Sequence, residues 1–290
     1  INYTRPITGT ITRTLISADA TYTAASTTPP ISTSCIITNG SPAVGSTALG
    51  GNGTTFTGNQ ITSSLPSTGE RWTITGSNGK TTVKDMIFSI LSTKYKVLAT
   101  EKNHNNELGV PQTLLKLDPS YDVAVIEMGM NHSGEIQILT KIVQPNIAII
   151  TKIGFAHIGN LGRSRLDVFN AKMEIVEGLK ENGLLILCSD DDMLSKVASN
   201  DYKIIFCGLK NVSQNFIYAT DIVQEWNSRV CGITFLLNYQ GRQYEGTLPT
   251  LGRHNVQNAL LALVVGIKFD ISIEESIKAL STYPRSSMRL

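Results

Sequence analysis

Residues 73–82 read Thr-Ile-Thr-Gly-Ser-Asn-Gly-Lys-Thr-Thr, a β-rich run followed by a glycine turn and a lysine-threonine pair at the start of an apolar stretch. Backbone N–H groups of a glycine turn at a helix N-terminus form a concave nest for phosphate. A lysine there adds a point charge, and a threonine hydroxyl can ligate Mg²⁺. Gly76, Ser77, Asn78, Gly79, Lys80, Thr81 and Thr82 are therefore candidate phosphate-binding residues, with Thr81 also a candidate metal ligand. The usual Walker spacing would put a glycine at Ile74, so this loop is the shorter form Gly76-x-x-Gly79-Lys80-Thr81. The competing reading is a plain Gly-Asn turn that joins a strand to a helix opening at Val83.

Four further stretches carry groups that could do chemistry. Val125-Ile126-Glu127-Met128-Gly129 leaves an apolar strand and sets a carboxylate at its end, beside a glycine that lets a ligand approach. Glu127 is a candidate Mg²⁺ ligand, although a lone carboxylate there is ordinarily a solvated loop residue. The run from Ile149 to His157 repeats the strand-to-loop pattern with a histidine, which alone reads as a capping or packing residue. Lys172 lies in a helical stretch, where a lysine is ordinarily solvated. Gly252-Arg253-His254-Asn255 opens an Ala/Leu-rich helix with Asn255 and Asn258 one turn apart on one side. Either amide could hydrogen-bond a base edge, and N-capping is the simpler role for Asn255. His104, His132, His157 and His254, the four histidines of the chain, all fall in these motif loops.

The elements that must position these groups alternate. Strands are expected at 72–75, 96–99, 123–127, 147–151, 184–188 and 204–207, with helical stretches such as 83–93 and 169–179 between them. Such alternation implies a doubly wound, mostly parallel α/β sheet with ligands at the carboxyl ends of the strands. Antiparallel strands at 216–220, 232–238 and 243–248 are expected beside the sheet, then helices at 254–269 and 273–280. Residues 1–70 differ: Arg5, Arg13, Asp19 and Glu70 are their only charges, and threonine, serine and glycine dominate. They read as a small β-rich domain or as a low-complexity arm, ahead of a second domain at 71–290.

Composition narrows the class. The 290 residues suggest roughly two domains, and 41% apolar content suffices for packed cores. A net charge of +2 without a basic cluster leaves no electrostatic footprint for nucleic acid or anionic lipid. No apolar run reaches the ~18 residues of a membrane span. Cys35, Cys188, Cys207 and Cys231 have no metal or redox spacing and read as free thiols in a reducing compartment. The chain starts at Ile1 without methionine, which points to a missing or engineered N-terminus.

Taken in order, the motifs from Trp72 to Leu290 resemble the central ATP-binding domain of the Mur ligases, the amide-forming enzymes of peptidoglycan precursor synthesis. Within that family Asn103-His-Asn105-Asn106-Glu-Leu-Gly109-Val-Pro111 is most similar to the branch that adds D-alanyl-D-alanine to a UDP-N-acetylmuramoyl tripeptide. The resemblance implies ATP and Mg²⁺ as cofactors, with Gly76, Gly79, Lys80 and Thr81 on the phosphates and Glu127 and His157 on magnesium. It implies that Lys172 is carbamylated and helps hold a second Mg²⁺, that Asn258 faces adenine and that Arg289 contacts the nucleotide. Asn103, Asn105 and Asn106 would lie near the sugar-peptide substrate and the γ-phosphate. Partners would be the UDP-N-acetylmuramoyl peptide and D-alanyl-D-alanine, in a cytoplasmic monomer.

Some positions depart from the family. Lys152 stands where asparagine is usual and Lys102 where glycine is usual, and the loop from Gly162 to Lys172 is longer than the family's by about one residue. A Ser-x-Asp-Ser-Arg-like stretch of the family's first domain is missing from residues 1–70, and the chain stops where the third domain is expected to begin. The expectation is a fragment or chimera with weak ATP·Mg²⁺ binding and little ligation alone. A nucleotide-binding or partner-binding module without ligase activity, and a ligase for a folate or poly-amino-acid substrate, are the alternatives.

Overall fold

Apolar side chains run along successive positions of several central strands, so that neighbouring residues of one strand feed two different cores. In the computed structural model, which describes residues 47–48, 55–56, 70–156, 158–162, 164–226 and 231–283, Val123 and Val125 face one core while Ala124 and Ile126 face the other. Burial on both faces is the condition for a parallel sheet with helices on each side.

The strands are β1 (Thr47–Ala48), β2 (Thr55–Phe56), β3 (Glu70–Thr75), β4 (Val97–Ala99), β5 (Val123–Glu127), β6 (Ile147–Ile150), β7 (Leu184–Cys188), β8 (Lys203–Gly208), β9 (Asn215–Trp226), β10 (Cys231–Tyr239) and β11 (Arg242–Leu248). The helices are α1 (Lys80–Leu91), α2 (Gly109–Leu114), α3 (Glu135–Val143), α4 (Ile158–Leu161), α5 (Arg165–Met173), α6 (Arg253–Lys268) and α7 (Ile273–Ser281). β1 and β2 pair antiparallel as a separate ribbon, and the rest of the 1–70 segment's expected strands lie outside the described residues. The other nine strands form one sheet in the order β11-β10-β9-β8-β7-β6-β3-β5-β4. Helices α1, α6 and α7 cover one face, and α2, α3 and α5 cover the other.

The strand order places the site. From β3 the chain first builds outward through β4 and β5, then returns to the other side of β3 with β6, β7 and β8. β3 thus lies between β5 and β6, and this reversal opens a crevice at its carboxyl end.

Three boundaries differ from expectation for local reasons. Helix α1 begins at Lys80 instead of Val83, because Gly79 takes a left-handed conformation (φ 86°) that turns the chain straight into the helix. Helix α5 begins at Arg165, ahead of the expected 169, because Ser164 and Asp167 form a reciprocal capping box. It ends at Met173 and continues as a 3₁₀ turn over Glu174–Gly178.

The strands expected beside the sheet instead extend it. β9 pairs parallel to β8, and within the nine-stranded sheet the antiparallel pairs are β9 with β10 and β10 with β11. A parallel connection normally needs a dozen or more residues. Here β9 overlaps only the last part of β8, from Phe206 to Gly208, so the short loop of 209–214 suffices.

Candidate functional site

The glycine loop leaves β3 in a shape that side chains could not follow. Gly76 has φ 149°, and a Cβ there would lie 1.9 Å from the Thr151 Oγ1; at Gly79 a Cβ would lie 2.7 Å from the Asn258 Oδ1. The end of β6 holds the loop from the other side. Ser77 N–H donates to the Lys152 carbonyl at 2.8 Å, Gly154 N–H donates to Ser77 Oγ at 2.8 Å, and Thr151 Oγ1 donates to the Asn78 carbonyl at 2.5 Å. Lys80 Nζ donates to the Gly76 carbonyl at 2.9 Å, which sets its ammonium across the loop. Gly79 supplies no side-chain cap, so the first N–H groups of α1 point toward the loop as an anion site does.

Glu127 ends β5 beside this loop and is 1% exposed. Its Oε1 accepts from Asn105 Nδ2 at 2.8 Å, while Oε2 is buried with no protein partner. A buried carboxylate oxygen left open in this way fits a hard cation. Among the described residues no group of three or more His, Cys, Asp or Glu side chains is placed to hold a metal. Mg²⁺ is usually held by one or two carboxylates together with substrate phosphates. His157 and Arg289 lie outside the described residues.

The three asparagines separate. Asn105 reaches Glu127, and Gly129 is glycine because a Cβ there would lie 2.7 Å from the Asn105 Oδ1, so the close neighbour it admits is a side chain of this chain. Asn106 Oδ1 accepts the Gly109 N–H at 2.9 Å at the start of α2, and Asn103 is exposed. Lys102 has φ 49°, the left-handed region that glycine occupies without strain.

Lys172 projects from α5 into the interior, 2% exposed, so the expectation of a solvated lysine is overturned. Burial, reinforced by the nearby Lys80 charge, pulls its pKa down to about 7. Two residues on, Glu174 is spent differently. Its carboxylate accepts from Ser133 Oγ, Gly134 N–H and Gln137 N–H, capping α3, and burial still raises its pKa.

A cavity of about 450 Å³ runs from the loop toward α6, lined among others by Asn78, Gly79, Lys152, Asp190, His254 and Asn258. Thr82 also lines it. Asn258 Nδ2 donates to Asn255 Oδ1 at 3.3 Å, and Asn255 Nδ2 donates back to the Leu251 carbonyl at 2.6 Å. Asn255 is therefore no N-cap; that position belongs to Gly252. His254 is a helical residue of α6 and not a loop histidine. Sequence reasoning passed over Asp190, whose Oδ2 accepts from Gln257 Nε2 and from Leu209 N–H, both at 2.9 Å. It also passed over Thr151; an Asp-rich run and a threonine after a strand are too common to stand out. Cys188 and Cys207 are buried free thiols, as expected, and burial pushes Cys188 up to about 12.

A short glycine loop at the switch point of a parallel sheet, beside an open buried carboxylate and a cavity, defines an α/β domain of the phosphate-loop class. The chain belongs to the Mur ligase family: residues 74–266 match the Mur ligase middle domain. It is 40% identical over 217 residues to the UDP-N-acetylmuramoyl-tripeptide--D-alanyl-D-alanine ligase of Bacillus subtilis, covering 75% of this chain and 45% of that protein. The crystal structure of MurF from Acinetobacter baumannii superposes with a TM-score of 0.71 at 34% identity, over 78% of this chain and 48% of that one. MurF from Thermotoga maritima shares the fold, with a TM-score of 0.69 at 24% identity, over 79% of this chain and 51% of that one. The chain thus spans about half the length of the relatives it matches. No helix among the described residues is long and apolar enough to cross a membrane.

Proposed function

We propose that residues 71–290 are the ATP-binding central domain of a ligase that adds D-alanyl-D-alanine to a UDP-N-acetylmuramoyl tripeptide, with residues 1–70 a separate segment. The observation that carries this reading is the pairing of the Gly76–Thr81 loop with the open oxygen of Glu127 across one crevice. The 40% identity to the Bacillus subtilis ligase supports the substrate choice, and the ADP complex solved for Thermotoga maritima MurF supports the ligand class. A cytoplasmic monomer accompanies this reading.

In this reaction the ATP γ-phosphoryl passes to the peptide carboxylate, giving an acyl phosphate and ADP. The amine of D-alanyl-D-alanine then attacks the acyl carbon, and phosphate leaves as the amide forms. The loop N–H groups and Lys80 bind the phosphates and meet the negative charge that develops on them. Thr81, Glu127 and His157 would hold Mg²⁺, which supplies charge neutralisation when bound. Asn258 would face the adenine edge, with Arg289 on the nucleotide and Asn103, Asn105 and Asn106 toward the peptide substrate. Lys172, with its pKa near 7, keeps a substantial neutral fraction at neutral pH. The ammonium first gives up one proton, and the neutral amine then adds to CO₂ with loss of a second, so that a cation becomes an anionic carbamate that would serve as a second metal ligand.

Calorimetric titration of ATP with Mg²⁺ into the chain, repeated with Lys80→Ala, tests the reading. Wild type is expected to bind weakly and the variant to lose binding; an unchanged Kd in the variant returns the loop to a structural turn.

A further inference from the structure

Behind the phosphate loop stands a second lysine that the proposed reaction does not use. Lys84 lies one turn along α1 from Lys80 and is 6% exposed. Its Nζ donates to the Thr100 carbonyl at 2.8 Å and lies 3.1 Å from the Asp85 Oδ1. A buried ammonium is costly unless paired and hydrogen-bonded, so its place here demands a physical reason. Thr100 supplies one. It follows β4, is 1% exposed, and its Oγ1 accepts the backbone N–H of Glu127 at 2.9 Å. Its own N–H donates to the Val125 carbonyl at 3.0 Å, which fixes it against β5. One residue thereby takes hydrogen bonds from the helix that carries Lys80 and Thr81 and from the residue that carries the open carboxylate.

We propose that Lys84 and Thr100 form a positioning strut that sets the separation between the phosphate-binding helix and the Glu127 carboxylate, and so tunes the affinity for nucleotide-bound Mg²⁺. The inference rests on the nucleotide reading above and adds two positioning residues to it. Neither side chain lines the cavity, so each acts through others. Magnesium needs near-ideal octahedral geometry, with ligands at about 2.0–2.1 Å. A shift of a few tenths of an ångström between the helix and Glu127 therefore weakens the metal far more than it weakens phosphate held by backbone N–H groups alone.

The test is calorimetric ATP titration into the whole chain, without metal and across a Mg²⁺ series, for wild type, Lys84→Met and Thr100→Val. Methionine keeps the stem and removes the donor. Valine keeps a branched side chain and removes the acceptor of the Glu127 N–H, while the carbonyl that Lys84 uses remains. Metal-free ATP affinity is expected to stay within about twofold of wild type. The Mg²⁺ concentration for half-maximal enhancement is expected to rise about tenfold, as when outer-shell partners of a metal ligand are lost. Unchanged Mg²⁺ midpoints in variants that fold overturn the strut, as does an equal loss of metal-free and metal-dependent affinity. If Lys84→Met does not fold, Thr100→Val decides alone. A wild type that binds ATP beside unaffected variants sinks only the strut, whereas a wild type that binds no nucleotide sinks the nucleotide reading as well.

Discussion

Lys172 carries the largest electrostatic strain of any described lysine side chain, and its consequence is a pH dependence with a definite sign. Its pKa is about 7 in the folded chain against an ordinary 10.5. Between those values the unfolded chain holds a proton that the folded chain has released, so wild-type stability rises with pH across the window from about 7 to 10.5. Below pH 7 the penalty reaches its full size. In CO₂-free buffer, Lys172→Met is expected to be the more stable chain at pH 7. Its advantage should narrow by roughly 2–3 kcal/mol on going to pH 9, at 1.36 kcal/mol per pH unit. Urea midpoints and slopes at the two pH values measure this, and a gap that stays constant removes the buried charge from the account. Nothing in the neighbouring sequence announced this burial, because a lysine in a helix reads as solvated until the helix has a sheet to lie on.

At the scale of elements, local signals explain most of what formed. Ser272 and Glu275 close a capping box on α7, and Ser164 and Asp167 close one on α5. The second was legible as Ser-x-x-Asp before an apolar stretch, yet the expected start fell four residues late because the helical period was weighed and the cap was not. Since α5 carries Lys172, its N-terminus also matters to the site. Ser164→Ala should cost about 1 kcal/mol, the usual value for losing such a cap. It should also raise amide exchange in the first turn of α5 and leave exchange in α6 unaltered. Uniform exchange changes in both helices would argue against a local cap. The loop at Gly76–Gly79 was readable in full because its glycines answer a steric demand. The partners that impose the demand, Thr151 and Asn258, lie far along the chain and were not.

Over the whole molecule, two cores share one sheet, and this couples regions distant in sequence. Trp72 of β3 packs edge-on against Phe269 just past α6, ring centroids 4.2 Å apart, and Tyr95 meets the same Phe269 at 5.7 Å. Trp72→Ala should remove about 3–5 kcal/mol, the range for truncating a large buried aromatic. Far-ultraviolet circular dichroism in urea should still show a single transition, because β5, β6 and β7 contribute alternate residues to both cores. Two separated transitions would mean that the two faces fold independently.

The chain by itself determined its class: the glycine spacing, the alternation of apolar strands with helices, and the ordered motifs from Trp72 onward are local patterns, and local sterics and periodicity suffice to read them. Tertiary structure alone decided that β3 lies between β5 and β6, that Glu127 keeps one oxygen open while Asn105 takes the other, and that Lys172 and Lys84 are buried. It also decided that β9 joins the sheet parallel to β8. Each of these depends on which distant segments become neighbours, and burial, desolvation and hydrogen-bond partners exist only once those neighbours have met.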